Sequence, residues 1–275
     1  MSLPTAAAPT EVRIAHCLLD ADGTVLSAAR EEEAFYAAST VKLHVLLAVL
    51  REAGAGRVDL DAEVPATRTF TGADGEPFTL AGDHLDPTHP EPGTPIAVRE
   101  LARRMIDRSS NEATDQLLEL VGLPALAAVV GELGLGATRV ERAIGDGSAL
   151  ARGLTNETSA ADLARTMHHL VVGLGLAADS RALALEALRA QRIPVIGTVL
   201  REDVRWGSKS GWVDGYRHDV AVLEAPDGQE LHVLAVLTSG MEAATADRKV
   251  AALARGLLPE ATIPLHVPDA RPGEF

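Results

Sequence analysis

The chain has 275 residues, a formal net charge of −14 and 47% hydrophobic residues with few aromatics. This length suits one or two domains with a large core, which must be built from Leu, Val and Ala. The negative charge argues against nucleic acid and anionic membrane surfaces as partners. The one cysteine, Cys17, excludes an internal disulfide.

Residues 1–5 show neither the basic region nor the apolar core of a signal peptide. We therefore expect a cytoplasmic protein, or an exported one if a leader precedes the given sequence. No run approaches the ~18 apolar residues of a membrane-spanning helix, so none is expected.

Strand patterns lie near both ends of the chain, and helix patterns lie between them. After residues 1–10, which we expect to be disordered, β-type runs predict strands at residues 11–20, 24–29, 206–211, 219–223 and 231–238. The turn signals Asp22-Gly23 and Pro226-Asp227-Gly228 join two pairs of these strands as hairpins. Periodicity and end signals predict helices at residues 39–54, 96–108, 111–121, 124–133, 158–172, 180–191 and 245–258.

This order indicates an α+β fold: one antiparallel sheet built from both termini and flanked by helices, with an inserted all-α domain. We predict a discontinuous sheet domain from residues 11–38 and 192–275, a helical domain from residues 39–191, and an active site at their interface. Residues 57–95 and 137–157 are predicted to be irregular loops. His84 and His89 in the first loop form no compact metal-ligand pattern, so neither a metal nor another cofactor is expected.

The first predicted helix begins with a serine three residues before a lysine, Ser39 and Lys42, inside an apolar run. Positions i and i+3 share one face of a helix, so the Ser39 Oγ and the Lys42 Nζ can meet at its N-terminal end. A serine hydroxyl becomes a strong nucleophile when a base takes its proton, and a buried lysine with a lowered pKa can be that base. The free N–H groups of the helix N-terminus could hold an oxyanion.

The alternative is a capping serine followed by a lysine on a solvated face. The apolar surroundings of Lys42 do not suit a solvated face. The chain also has 22 arginines but only three lysines, Lys42, Lys209 and Lys249. A lysine inside an apolar run therefore suggests a need for an amine that can lose its proton, which a guanidinium cannot do.

Two further short motifs follow in order. Ser109-Ser110-Asn111 falls between two predicted helices, and Lys209-Ser210-Gly211 lies in a predicted strand. The order Ser-x-x-Lys, Ser-x-Asn, Lys-Ser-Gly resembles the class A β-lactamases and their relatives among penicillin-binding serine hydrolases. The flanking Ala-Ser-Thr-Val-Lys-Leu, Met105-Ile106 and Arg-Val-Glu-Arg at residues 139–142 are similar to that family as well. The resemblance covers roughly residues 11–258.

The resemblance implies a catalytic role for three of these residues. Ser39 would be the acylated nucleophile, and Lys42 would be its activating amine. Ser109 would shuttle a proton to the leaving nitrogen. Acyl transfer needs such an activated hydroxyl and such a proton donor.

The same resemblance implies a set of substrate-binding groups. Asn111 would hydrogen-bond the side-chain amide of the substrate, while Lys209 and Ser210 would bind its carboxylate. The oxyanion hole would consist of the backbone N–H groups of Ser39 and Trp212. The predicted partner is therefore a small-molecule substrate.

The loop at residues 139–157 departs from the family pattern. The family's loop glutamate, which activates the deacylating water, falls on Ile144, a side chain that cannot act as a base. Asp146 is the nearest carboxylate, so deacylation would use either Asp146 or Lys42 itself, and Asp146→Asn should slow deacylation in the first case. Asn156 stands where the family has the aspartate that pairs with the loop arginine. Ser110 replaces the family's central aspartate and can still hydrogen-bond the backbone.

Three functions fit these residues. The first is an active serine hydrolase that acylates Ser39 with a β-lactam, or with a related carboxylate-bearing amide or ester, and then hydrolyses the acyl-enzyme. The second is a penicillin-binding or sensor-like protein that is acylated but deacylates poorly. The third is a D-alanyl peptidase or an esterase, and a peptidase acting on cell-wall peptides would need export.

Overall fold

The computed structural model of the protein describes residues 9–82, 84–225 and 230–264. The predictions for residues 1–8 and for the turn at 226–228 fall outside the described residues. The described strands are β1 (Arg13–Leu19), β2 (Val25–Ala29), β3 (Phe35–Tyr36), β4 (Glu63–Pro65), β5 (Thr69–Thr71), β6 (Pro77–Thr79), β7 (Pro95–Ala97), β8 (Arg139–Val140), β9 (Asn156–Thr158), β10 (Arg205–Val213), β11 (Tyr216–Glu224) and β12 (Leu231–Ser239).

Each predicted helix is found within a few residues of its expected bounds. The described helices are α1 (Lys42–Gly54), α2 (Val98–Asp107), α3 (Asn111–Glu132), α4 (Gly147–Ala151), α5 (Ala160–Val172), α6 (Ala178–Arg189) and α7 (Ala243–Leu257). Helix α3 is broken at Gly122, whose φ of 75° is not helical, and Pro124 follows the break. The break corresponds to the two separate helices that the sequence predicts there.

One antiparallel sheet contains strands from both termini, which confirms the predicted α+β plan. Its five strands lie in the order β10-β11-β12-β1-β2, and β10 at one edge pairs with β11 so that Ser210 faces Asp219. Strands β11 and β12 are buried along most of their length, because helices cover both faces of the sheet.

Two clusters of buried residues lie on the two faces of the sheet. One joins β1 and parts of β11 and β12 to helices α1, α2, α5 and α6, and the other joins the sheet to α7 and the 3₁₀ turn Ile196–Val199. The first cluster is continuous from the sheet into the helices. The division into two domains therefore stays a prediction.

Both segments predicted to be irregular contain short elements that the sequence reasoning missed. Residues 137–157 contain β8, α4 and the start of β9, and residues 57–95 contain short two-stranded ribbons. Strand β4 pairs with β7, and β5 pairs with β6. Because Pro95–Ala97 belongs to β7, helix α2 begins at Val98 rather than at residue 96. The ribbons are three-residue strands, too short to show a β-type alternation.

Helix α3 is the one helix among the described residues that is long and apolar enough to cross a membrane, judged by length and composition alone. Its first half is buried from Asn111 to Leu118 and packs against α1 and α2. The break at Gly122 and this packing are typical of the core helix of a folded domain.

Candidate active site

Ser39 lies in a 3₁₀ turn, Ala38–Val41, that runs directly into α1. The preceding Ala38 has a φ of 46°, a left-handed conformation that is costly for a residue with a side chain. Behind the turn, α1 is buried from Lys42 to Leu50, because its apolar run fills the core. The half-buried Ser39 is therefore held at the end of a rigid helix.

The amine of Lys42 is buried and binds the connection between α2 and α3. Its Nζ donates to the Ser109 carbonyl oxygen at 2.7 Å, lies 3.1 Å from Ser109 Oγ, and donates to Asn111 Oδ1 at 2.8 Å. The predicted direct contact with Ser39 is not among the described hydrogen bonds. Burial, followed by the positive charge of Lys209, holds the pKa of Lys42 well below its usual value. The lowered pKa makes the neutral amine easier to form than it is for a solvated lysine.

Lys209 is the second buried amine of the site. Its Nζ lies 3.2 Å from Ser109 Oγ and donates to the Ser210 carbonyl oxygen at 2.6 Å. Burial lowers the pKa of Lys209 to about 7, while the nearby Asp219 carboxylate raises it and Arg217 lowers it further. The side chain can therefore change its charge near neutral pH.

The hydroxyl of Ser109 is shared by both lysines, which brings the three sequence motifs together. Ser109 has a φ of 59°, so the chain takes a left-handed turn between α2 and α3 at this residue. A hydroxyl oxygen can accept two hydrogen bonds and still donate its own proton. Ser109 is thus placed as a proton donor, in line with its predicted role.

Asn111 and Ser110 organise the start of α3. Asn111 Oδ1 accepts from Lys42, and its Nδ2 donates to the His84 carbonyl oxygen at 3.0 Å, which leaves its second amide proton for a ligand. Ser110 Oγ caps the helix by accepting from the Ala113 N–H at 3.2 Å and donates to Glu112 at 3.2 Å. The expectation that Ser110 still hydrogen-bonds the backbone is confirmed.

Gly211 allows β10 to approach the nucleophile turn closely. A Cβ atom at this position would lie 2.8 Å from the Thr40 nitrogen and 2.9 Å from the Ser39 nitrogen. The strand therefore passes directly beside the Ser39 N–H, which the sequence assigns to the oxyanion hole. The neighbouring Trp212 is 43% exposed and lines the cleft.

Gly211→Ala is expected to lower the acylation efficiency, kcat/KM, by about 10²-fold, because displacing either backbone segment misaligns the N–H groups beside Ser39. Stopped-flow acylation by a chromogenic cephalosporin measures this effect. Gly256→Ala is the matched control, because a Cβ at Gly256 meets nothing within 4 Å. An acylation efficiency of Gly211→Ala within threefold of the unmodified protein would contradict the assignment.

A cleft of about 370 Å³ lies above these groups. Segments of the loops and four of the predicted site residues line it. The four are Ser39, Ser109, Asn111 and Trp212. Lys42, Lys209 and Ser210 are fully buried beneath it. Ser210 Oγ has no hydrogen-bond partner among the described residues, and its predicted role in binding a carboxylate stays a prediction.

Asn156 joins the two ends of the loop between β8 and β9. The Asn156 Oδ1 accepts from the backbone N–H groups of Glu141 and Arg142 at 3.0 and 3.3 Å, and its Nδ2 donates to the Arg142 carbonyl oxygen at 3.0 Å. Arg142 donates instead to the Tyr36 hydroxyl at 2.9 Å. An amide thus closes the loop through the backbone, in place of the ion pair of the family pattern.

Asp146 caps a helix and does not line the cleft. Its Oδ1 accepts from the Ala149 N–H at 2.9 Å and the Ser148 hydroxyl at 2.6 Å, so it caps α4. Its Oδ2 accepts from the Ala73 N–H at 2.8 Å. These hydrogen bonds lower its pKa against the opposing effect of burial, which is the larger single influence. Its contacts therefore do not support the predicted role as the water-activating base, whereas Ile144 and Gly145 do line the cleft.

The sequence reasoning missed Asp115, a fully buried carboxylate on α3. Its Oδ1 accepts from the Ile144 N–H at 2.8 Å, which links α3 to the loop. Asp115 lies four residues after Asn111 on the same predicted helix, so the shared helix face was a usable signal.

Comparison with known proteins agrees with this geometry. A model of the β-lactamase enzyme family matches residues 5–259. A curated β-lactamase from Amycolatopsis lactamdurans is 32% identical over 239 residues, which are 82% of this chain and 73% of that protein.

Two solved structures show the same fold. A β-lactamase from Sphaerobacter thermophilus DSM 20745 is 28% identical with a TM-score of 0.73, covering 91% of this chain and 94% of that one. An ancestral class A β-lactamase is 26% identical with a TM-score of 0.71, covering 90% of this chain and 93% of that one. The chain therefore belongs to the β-lactamase enzyme family and is a serine β-lactamase-like hydrolase with the class A fold.

Proposed function

We propose that the protein opens β-lactam rings through an acyl-enzyme on Ser39. The Ser39 Oγ attacks the carbonyl carbon of the lactam while its proton passes to the free amine of Lys42. Ser109 then donates its proton to the lactam nitrogen as the carbon–nitrogen bond breaks and takes a proton back from the Lys42 ammonium, whose Nζ lies 3.1 Å from Ser109 Oγ, so Lys42 returns to the free amine. Water hydrolyses the resulting ester and frees Ser39.

The sharing of Ser109 Oγ by two buried amines carries this proposal. The two Nζ atoms lie 3.1 and 3.2 Å from that oxygen. Holding two cations this close is unfavourable, so the arrangement favours loss of a proton from one of them, and burial lowers the pKa of both. The pair supports a lysine amine that can take up a proton in the site of Ser39 and a proton donor, Ser109, for the leaving group.

The charge of the site supports a substrate that carries a carboxylate. Two lysines lie beneath the cleft in a chain with a net charge of −14. Lys209 in its ammonium form and the Ser210 hydroxyl, which has no partner among the described residues, supply donors that suit a carboxylate. The β-lactam carboxylate would bind there, with the Ser39 and Trp212 N–H groups at the lactam carbonyl.

A second function, a protein that is acylated and turns over slowly, is favoured by the loop. The described residues of this loop that line the cleft, Ile144 and Gly145 among them, carry no carboxylate, and both oxygens of Asp146 are occupied. General-base help is typically worth 10²–10⁴-fold in rate, so a site without it would hold the acyl group for longer. The third function, a D-alanyl peptidase or esterase, would use the same nucleophile.

A chromogenic cephalosporin assay combined with intact-mass analysis tests these functions. Steady turnover with little adduct supports hydrolysis, and a stable adduct on Ser39 with little turnover supports the slow acceptor. If the protein shows no turnover and forms no adduct, the β-lactam proposal is overturned. The peptidase or esterase function would then be tested with short D-Ala-D-Ala peptides and carboxylate esters.

A further inference from the structure

The buried carboxylate of Asp115 uses only one of its two oxygens for hydrogen bonds among the described residues. The side chain is fully buried, and its Oδ2 has no hydrogen-bond partner among the described residues. Its Oδ1 is occupied by the Ile144 N–H. Because buried polar atoms are nearly always satisfied, an unpaired carboxylate oxygen beside an active site calls for a functional explanation.

Helix α3 connects Asp115 to a residue that binds the Lys42 amine. Asn111, one helical turn earlier, accepts a hydrogen bond from Lys42 Nζ at 2.8 Å. The two charged groups influence each other: the Asp115 carboxylate raises the pKa of Lys42 against burial, and Lys42 lowers that of Asp115. Burial, the largest influence, raises the pKa of Asp115 well above its usual value.

The other charged groups around this pair have defined positions. Lys209 on β10 disfavours charge on Lys42, and Glu112 on α3 favours it. Both Glu112 oxygens accept from the Asp86 N–H, at 3.1 Å each. Glu119 on α3 and Arg142 on the loop act on Asp115 with opposite signs. Of the two carboxylates that act on Lys42, Asp115 is the one with an unused oxygen among the described residues.

We propose that Asp115 is a positioning carboxylate that forms one electrostatic unit with Lys42 and, through the Ile144 amide, joins that amine to the loop lining the cleft. The unit can hold its proton on either group: as ammonium and carboxylate, or as free amine and carboxylic acid. The second form presents Lys42 ready to accept the proton of Ser39. This inference rests on the proposed role of Lys42.

Titration of Lys42 by NMR tests the proposal without any substrate. The chain has only three lysines, so ¹³Cε-labelled lysine gives few resonances, and Lys249→Arg assists their assignment. Asp115→Asn keeps an oxygen for the Ile144 N–H but removes the charge that stabilises the ammonium. We expect the Lys42 midpoint to fall by about one pH unit in this variant. At a pH below the midpoints of both proteins, the fraction of Lys42 present as free amine then rises about tenfold.

Asp162→Asn is the matched control. Asp162 is also fully buried, accepts from the Ala137 N–H at 2.9 Å, and has one oxygen without a hydrogen bond among the described residues. That oxygen lies 3.5 Å from the Arg165 guanidinium, and Asp162 is not among the charges acting on Lys42. This variant should leave the Lys42 midpoint unchanged. An equal midpoint in Asp115→Asn and the unmodified protein, or no titration of Lys42 between about pH 5 and pH 10, would overturn the proposal.

A second measurement uses the unmodified protein and does not require the variant to fold. The Asp115 ¹³Cγ and the Lys42 ¹³Cε should each show two linked steps at the same pH values. Independent single-step curves would overturn the proposal. In the acylation assay, the acid limb of the plot of acylation rate against pH should move to lower pH in Asp115→Asn, by the same amount as the Lys42 midpoint. Absence of acylation would refute the proposed function while the NMR result still decides the role of Asp115.

Discussion

Ser39→Ala is expected to reduce β-lactam hydrolysis by about 10⁴-fold or more and to abolish the covalent adduct, because no other group can accept the acyl chain at that position. The stability should change by less than about 0.5 kcal/mol. Ser39 is half-buried and its hydroxyl makes no hydrogen bond among the described residues, so its removal leaves no buried partner unsatisfied. Steady-state turnover, intact mass and thermal unfolding together measure these outcomes.

The control for this variant is Ser148→Ala, on the short helix α4 outside the cleft lining. It removes a serine hydroxyl without touching the groups around Lys42. Turnover or adduct formation by Ser39→Ala above the non-enzymatic background would show that another residue is the nucleophile. The roles of Lys42 and Ser109 would then need a different account.

Ile144→Glu is expected to shorten the lifetime of the acyl-enzyme by about 10²-fold or more, since it supplies a general base at the cleft wall. The backbone at Ile144 is already fixed, because its N–H donates to Asp115 at 2.8 Å. The side chain is half-buried and lines the cleft, so a longer polar side chain can reach the site without entering the core. Decay of the Ser39 adduct after removal of excess cephalosporin, followed by intact mass, measures the lifetime.

Ile144→Gln separates the base from the change of shape. Glutamine has nearly the same size as glutamate but cannot take up a proton at neutral pH. The lifetime should shorten in the glutamate variant and not in the glutamine variant. Equal lifetimes in both variants would show that this loop position does not control deacylation.

Much of the fold and of the site could be predicted because the signals are local. Apolar periodicity and end signals placed every helix except the five-residue α4 within a few residues, including the break at Gly122. Three short motifs identified Ser39, Lys42, Ser109, Asn111 and Lys209, and the structure brings all five to one site. The three-residue ribbons at residues 57–95 could not be predicted, because their pairing depends on distant segments.

The loop shows where sequence reasoning fails. Asp146 was selected as the nearest carboxylate in the chain, but it caps α4 and binds the Ala73 N–H. Asp115, which lies on another element, reaches the loop through the Ile144 N–H. Distance along the chain is a poor guide here, because a carboxylate acts on whatever the fold places within a few ångströms.

The sequence by itself determined the family, the α+β plan and the order of the three motifs. The tertiary structure decided which groups Lys42 contacts, why a side chain at residue 211 would crowd the nucleophile turn and which carboxylates influence the amine. The physical reason is that propensity and motif identity are properties of neighbouring residues. Burial, hydrogen-bond partners and the pKa of a buried amine depend instead on residues brought together from distant parts of the chain.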